Sequence, residues 1–180
     1  MVTRFSASLA ALTFLALSSG CGVANQQGNE EVPPELTFDN FRFRVYRGPV
    51  LTAEGDAVHA SFRRDTADLA ADRIRLRIPA TATRAEARIT AARGSGNVKD
   101  RRFEASGGVR AEQGDQVATT AQARYTAADR LVHGDQPVEV RSGSLTVRGP
   151  GFTLEPDDQV LRIEGGAHVV AGPARAEAAR

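Results

Sequence analysis

The 180-residue chain reads as an all-β domain of antiparallel strands, preceded by a leader and a tether. Three observations predict this. Apolar and charged residues alternate in run after run. Glycines and Asp-containing turns separate the runs. A unit of apolar residue, glycine and valine recurs at a nearly constant interval. Alternation with period two marks a strand with one wet face and one dry face, and the length suits a single domain.

The elements follow in chain order. Residues 1–20 read as a lipoprotein-type signal peptide. Met1 to Arg4 is short and weakly basic, ASLAALTFLAL (7–17) is apolar, and Ser18, Ser19 and Gly20 are small residues before Cys21. As a helix, residues 7–17 span only ~16 Å, too short for a ~30 Å hydrocarbon core. The stretch resembles a bacterial lipoprotein cleavage site, where the cysteine becomes the first residue and carries the lipid. Ser18 stands where such sites usually have an aliphatic residue. Two other outcomes stay open: cleavage after Ala24 with release, and an uncut leader acting as the anchor, since no charge occurs between Phe5 and Asn29. Cys21 is the only cysteine, so it makes no internal disulfide. Residues 21–35 are polar, carry Pro33 and Pro34, and read as a flexible tether.

Residues 36–171 form the β domain. The alternating runs are FRFRV (41–45), IRLRI (74–78), VEVR (138–141), LTVR (145–148) and LRIE (161–164). Turns are expected at EGD (54–56), GSG (94–96), GD (114–115), AD (128–129), GD (134–135) and PDD (156–158). Residues 64–72 admit one or two helical turns, although Leu69 and Ala71 also fit a strand. The tail, 172–180, reads as disordered or a frayed helix. FEASGGV (103–109), LVHGDQPV (131–138) and LRIEGGAHV (161–169) share one form, and their valines, Val109, Val138 and Val169, lie 29 and 31 residues apart (138 − 109 and 169 − 138). Such units suggest stacked hairpins that cannot bury their faces alone. Their glycines fit corners or bulges where a sheet bends.

The chemistry is sparse. Lys and Arg total 23 against 22 Asp and Glu, a balance with no footprint for nucleic acid. Aromatics are 6% and tryptophan is absent, so no stacking platform is evident. His59, His133 and His168 lack metal-ligand spacing. Asp157-Asp158 and Glu30-Glu31 sit in turn and tether contexts, which select acidic residues. Ser142 and Ser144 flank Gly143 without forming a nucleophile elbow. Gly94 to Gly96 has no following helix to hold phosphate. The chain is therefore read as a non-enzyme with no cofactor and no metal.

What remains is an apolar stripe on one side of the strands: Phe43, Val45, Phe62, Ile74, Leu76, Ile78, Ile89, Phe103, Val109, Tyr125, Leu131, Val138, Val140, Leu145, Val147, Phe152, Leu154, Leu161, Ile163 and Val169. Such a stripe makes either an ordinary closed sandwich core or a groove for acyl chains.

Three segments carry a resemblance: GGV (107–109), YTAADRLVHGDQPVEV (125–140) and VRGPGFTLEPDDQVLRIEGGAHV (147–169). With them, roughly residues 41–170 resemble the periplasmic lipopolysaccharide-transport proteins of the LptC and LptA (OstA-like) type. FRVYRGPVLTAEGDAVHASFRRDTADLAADRIRLRIP (43–79) is similar to the first strands of the membrane-anchored LptC type. Members of that type usually carry a transmembrane helix, whereas this chain has a short leader ending in Cys21. The resemblance implies an open antiparallel β-jelly roll of two folded-over sheets. It implies that the stripe binds lipopolysaccharide through its lipid A acyl chains. It also implies an inner-membrane ABC transporter as donor, facing residues 41–46, and an LptA-like jelly roll as acceptor, joined through edge strands at residues 160–170. The expected location is the periplasm, anchored to the inner membrane through lipid on Cys21. Gly22 after the cysteine leaves the outer membrane open. Two rivals remain: a structural or surface lipoprotein with a closed β core and no cargo, and a β-rich carbohydrate-active enzyme, which would need a cluster of acids or aromatics that the sequence lacks.

Overall fold

A computed structural model describes residues 34–172. The regular elements within them are all strands: β1 (Leu36–Arg47), β2 (Val50–Arg63), β3 (Asp68–Ile78), β4 (Ala87–Asn97), β5 (Arg102–Gln113), β6 (Gln116–Thr126), β7 (Leu131–Gly134), β8 (Val138–Ser142), β9 (Leu145–Gly149), β10 (Gly151–Glu155), β11 (Val160–Glu164) and β12 (His168–Ala171). The ambiguous stretch 64–72 resolves into a turn and the start of β3. Cys21, the leader and most of the tether and tail lie outside the described residues.

The strands form one 12-stranded antiparallel sheet, with β1 to β6 paired in sequence order. At β6 the sheet divides. Its first half pairs with β8, from Gln116 opposite Ser142 to Thr120 opposite Val138. Its last residues pair with β7, from Arg124 opposite His133 to Thr126 opposite Leu131. One branch continues through β10 to β11, the other through β9 to β12. The cause is local. β7 and β8, β9 and β10, and β11 and β12 are each two halves of a long strand, broken at Asp135-Gln136-Pro137, at Pro150 and at Gly165-Gly166-Ala167. Proline has no N–H for a ladder, so a sheet breaks there. Pro150 separates β9 from β10 for this reason.

A milder form of the same break crosses the long strands. Asn40 and Arg73 both have φ of 53°, and Gly107 and Gly108 have φ of 79° and 90°. The ladder shifts between Thr90 and Arg93 and between Ser106 and Val109. The breaks align into one transverse crease. On either side lies a leaf of the folded sheet. The first leaf runs β1-β2-β3-β4-β5-β6-β7-β10-β11. The second uses the other halves of β1 to β6, then β8, β9 and β12. The glycines of the sequence repeat (Gly107, Gly108, Gly134, Gly165 and Gly166) all fall on the crease, as bends require. The leaves fold over one another: a Cβ on Gly149 of the second leaf would sit 2.1 Å from Ile163 Cγ2 of the first. This is an open β-jelly roll.

The dry core follows the crease. Ala57, Ala60, Ala91, Val109, Val138 and Phe152 are buried, and all lie within a few residues of it. No described side chain is less than 2% exposed. Farther out, toward the rims, burial is partial.

Candidate functional site

Cross-strand pairing decides which residues share a face, because directly opposed residues point the same way. On the first leaf one row reads Leu36, Phe62, Leu69, Gly96, Phe103, Tyr125, Val132, Leu154, Leu161. The row two residues closer to the crease begins Phe38, Ala60, Ala71, Gly94, Ala105. On the second leaf the matching row is Phe43, Gly55, Leu76, Ile89, Ala111, Ala118, Val140, Val147, Val169. These rows are apolar from one edge of the molecule to the other. They are the inner face of the fold.

Period two alone would turn an apolar row outward after any bend that adds a residue. The chain compensates by stepping three positions at the crease: Phe38 to Phe41, Ala57 to Ala60, Ala71 to Ile74 and Ala91 to Gly94. In β5 the step is four positions, from Ala105 to Val109, and the glycine pair carries it. The extra residue is what keeps both leaves apolar on the same side.

The outer face is charged. One row on the second leaf reads Arg42, Asp56, Arg75, Thr90, Arg110, Thr119, Glu139, Arg148, His168. Arg75 pairs with Asp56 at 2.7 Å, and Arg148 with Glu139 at 2.6 Å. Donation from Arg148, reinforced by the Arg141 charge, holds the Glu139 carboxyl below the usual carboxylate range. Donation from Arg77 does the same for Glu86. Exposed pairs add little stability. Their effect is to keep this face in water and, among the described residues, to leave the inner face as the continuous apolar surface.

The stripe expected from sequence maps onto the inner face with one correction. Leu131 pairs with Thr126 and lies on the outer face. The preceding turn ends at Arg130, so period two brings Val132 inward instead, opposite Tyr125 and Leu154. Two expected turns are also corrected: EGD (54–56) lies inside β2 and GSG (94–96) inside β4. Their glycines serve packing. A Cβ on Gly55 would come within 2.6 Å of the Phe43 ring, and one on Gly96 within 2.5 Å of Phe103. Sequence reasoning missed Leu36, Phe38, Phe41, Leu69 and Val132, together with the small inner residues. The three-residue step was the signal for several of them. Phe38, Phe41 and Phe43 form a ladder of rings along the edge strand, with centroids 5.4 and 5.9 Å apart.

Exposure along the inner face separates a groove from a closed core. Near the crease Phe152 and Val109 are each 6% exposed, whereas toward the rims and edges Phe103 is 38%, Leu145 40% and Val169 57%. A closed sandwich would dry these rows along their whole width. Here the leaves meet at the crease and part toward the rims.

Among the described residues no group of three His, Cys, Asp or Glu could hold a metal. No helix among them is long and apolar enough to cross a membrane. The histidines are apart: His59 bonds Asp39 at 2.6 Å, and His133 bonds Thr153 at 3.2 Å. A shallow trough of about 530 Å³ over β1 to β4 lies largely on the outer face, lined by Asp39, His59, Asp72 and Arg93 together with small residues such as Ala70 and Ala71.

The family described as "Lipopolysaccharide-assembly, LptC-related" has a model that matches residues 6–170. Among solved structures, the chain is similar to LptH of Pseudomonas aeruginosa, the LptA-homologous periplasmic component of the lipopolysaccharide transport device. The TM-score is 0.51 and the identity 11%, covering 67% of this chain and 95% of that one. A search of the curated proteins gives no match. At that identity the structural likeness speaks for the fold alone, whereas the family match takes in nearly the whole chain. With an apolar inner face open toward its rims, the chain belongs to the LptC-related lipopolysaccharide-assembly family, whose members are non-enzymatic transport proteins.

Proposed function

We propose that the chain is a membrane-anchored periplasmic carrier. It accepts lipopolysaccharide from an inner-membrane ABC transporter and passes it along the inner face to a partner jelly roll. The observation that carries this reading is the inner face itself, apolar across both leaves and dry only along the crease. Acyl chains in water cost about 0.8 kcal/mol per CH2, so a carrier must cover them throughout an aqueous passage. Alanine and glycine in the inner rows leave width for those chains. None of these side chains makes a directed bond that would hold the cargo in place. The purified full chain, extracted from membranes in mild detergent, should release lipid A on solvent extraction, read by mass spectrometry. Absence of co-purified lipid A, together with no binding of added lipopolysaccharide, would return the molecule to the structural-lipoprotein reading.

Two finer assignments belong to the same proposal. The first is the anchor at Cys21. Cys21→Ser should release the protein from the membrane fraction or leave a longer, uncleaved leader, as seen by fractionation and intact mass. A mature variant that stays membrane-bound removes the lipid from the account.

The second concerns the edges. β1 closes one end of both leaves, and β11 and β12 close the other. Unpaired edges accept strands from another chain. Exposed apolar residues mark both ends, Val45 and Tyr46 on β1 and Val160, Val169 and Val170 on β11 and β12. Val169→Pro should abolish pull-down of an LptA-type jelly roll while bound lipid is retained. Undiminished pull-down would move the contact elsewhere.

A further inference from the structure

The rims of the leaves are closed by tight turns, with one exception. On the first leaf, turns 64–67, 98–101, 127–130 and 156–159 each end on a left-handed residue: Ala67, Arg101, Arg130 and Gln159. On the second leaf the turns at 48–49, 114–115 and 143–144 each hold a glycine of positive φ. The exception is the connection 79–86, between β3 and β4 on the rim of the second leaf. It reaches across to the 156–159 turn on the rim of the first. Arg84 Nη1 donates to Pro156 O at 3.5 Å, and Gln159 Nε2 donates to Thr83 O at 3.2 Å. Gln113 Nε2 donates to Ala85 O at 3.2 Å, pinning its base. The connection is a strap between the rims.

Arg84 on this strap is under-partnered. Its Nε is buried and has no hydrogen-bond partner. Its one described bond is the long contact to Pro156 O. Of the carboxylates near it in sequence on both segments, all but Asp158 are already paired. Glu86 holds Arg77 at 2.8 Å and Arg88 at 2.9 Å, Asp157 holds Arg130 at 3.6 Å, and Glu155 holds Arg162. Asp158 is exposed. A buried guanidinium donor without an acceptor loses its water and gains nothing in return. Arg84 as a whole is only half-buried, so an arriving anion meets the fork at its terminal Nη groups, which hold only the long Pro156 contact, and the planar fork of arginine matches the oxygens of a phosphate.

We propose that Arg84 is a phosphate site at the mouth of the groove, and that its ligand is the phosphate headgroup of an amphiphile whose chains lie on the inner rows. The proposal rests on the carrier reading. If chains occupy the inner face, the headgroup must stop where the dry surface ends, and that is the rim the strap crosses.

The test measures binding of bisphosphorylated and dephosphorylated lipid A to the full chain in detergent, for wild type, Arg84→Gln and Arg84→Lys. Circular dichroism confirms that each variant is folded. Wild type should prefer the phosphorylated lipid by about tenfold, the scale of one charge-assisted contact. Arg84→Gln should lose that preference but bind the dephosphorylated lipid as wild type does, and Arg84→Lys should keep part of it. A preference that survives in Arg84→Gln overturns the site. Equal binding of both lipids by wild type overturns the site and leaves the carrier reading intact. Failure to bind either lipid overturns both. Inorganic phosphate forms a separate arm. A thermal shift that depends on Arg84, without any lipid preference, would assign the site to free phosphate and overturn the headgroup.

Discussion

Phe152→Ala should lower the unfolding free energy by about 3–5 kcal/mol, the range for removing a buried aromatic ring. Phe152 is 6% exposed and lies over Gly134, where an added Cβ would come 2.1 Å from its ring. It sits on the crease, the dry part of a thin core, and domains of this size hold only about 5–15 kcal/mol in total. At about 2–4 °C per kcal/mol, the melting temperature should fall by roughly 6–20 °C. The companion change, Gly134→Ala, forces a methyl into the ring and should be costly alone. In the double variant the clash is gone, so the combined loss should be smaller than the sum of the two. Denaturant titrations of all four proteins check this. Additive losses, or a Phe152→Ala cost below about 1 kcal/mol, would mean that the ring is not the packed centre of the crease.

A charge on the inner face should empty the groove. Ala118 stands between Ala111 and Val140 on the second leaf. Ala118→Asp places a carboxylate where acyl chains would lie. The charge must be desolvated, neutralised or avoided by the lipid, and each of these is expensive. Co-purified lipid should drop by at least about tenfold, corresponding to only ~1.4 kcal/mol. Thr119→Asp is the control. It is the next residue, on the outer face between Arg110 and Glu139, and should leave the lipid unchanged. Circular dichroism reports folding and mass spectrometry reports lipid. Full lipid retention in folded Ala118→Asp would show that the chains do not cross that row.

The alternation of IRLRI and VEVR was enough to identify strands and their dry faces, because burial of one sheet face imposes period two directly. The glycines of the repeat marked corners, and they all lie on the crease. The three-residue step was harder to read, since one inserted residue resembles noise in a period-two pattern. Small residues such as Ala105, Ala111 and Ala118 were missed because bulk, not facing, drew attention to the stripe. Gly55 and Gly96 looked like turn residues, yet each lies under an aromatic ring of the neighbouring strand. That pairing depends on register, which local sequence does not disclose. Leu131 was misplaced by a single position, which is all it takes to change faces. The strap was not marked in the sequence: Ala80-Thr81-Ala82-Thr83 alternates as a strand would, and the state of Arg84 depends on a turn 72 residues away.

Because the leaves grow by adding strands side by side, the length of the fold is a separable quantity. Neighbouring strands lie ~4.8 Å apart, so the nine segments of the first leaf form a trough about 38 Å long. Each further hairpin, bent at the same point, would add ~10 Å without altering width or depth. Duplication of one repeat could therefore set how far a single molecule reaches, while the choice of cargo stays with the residues lining each rung.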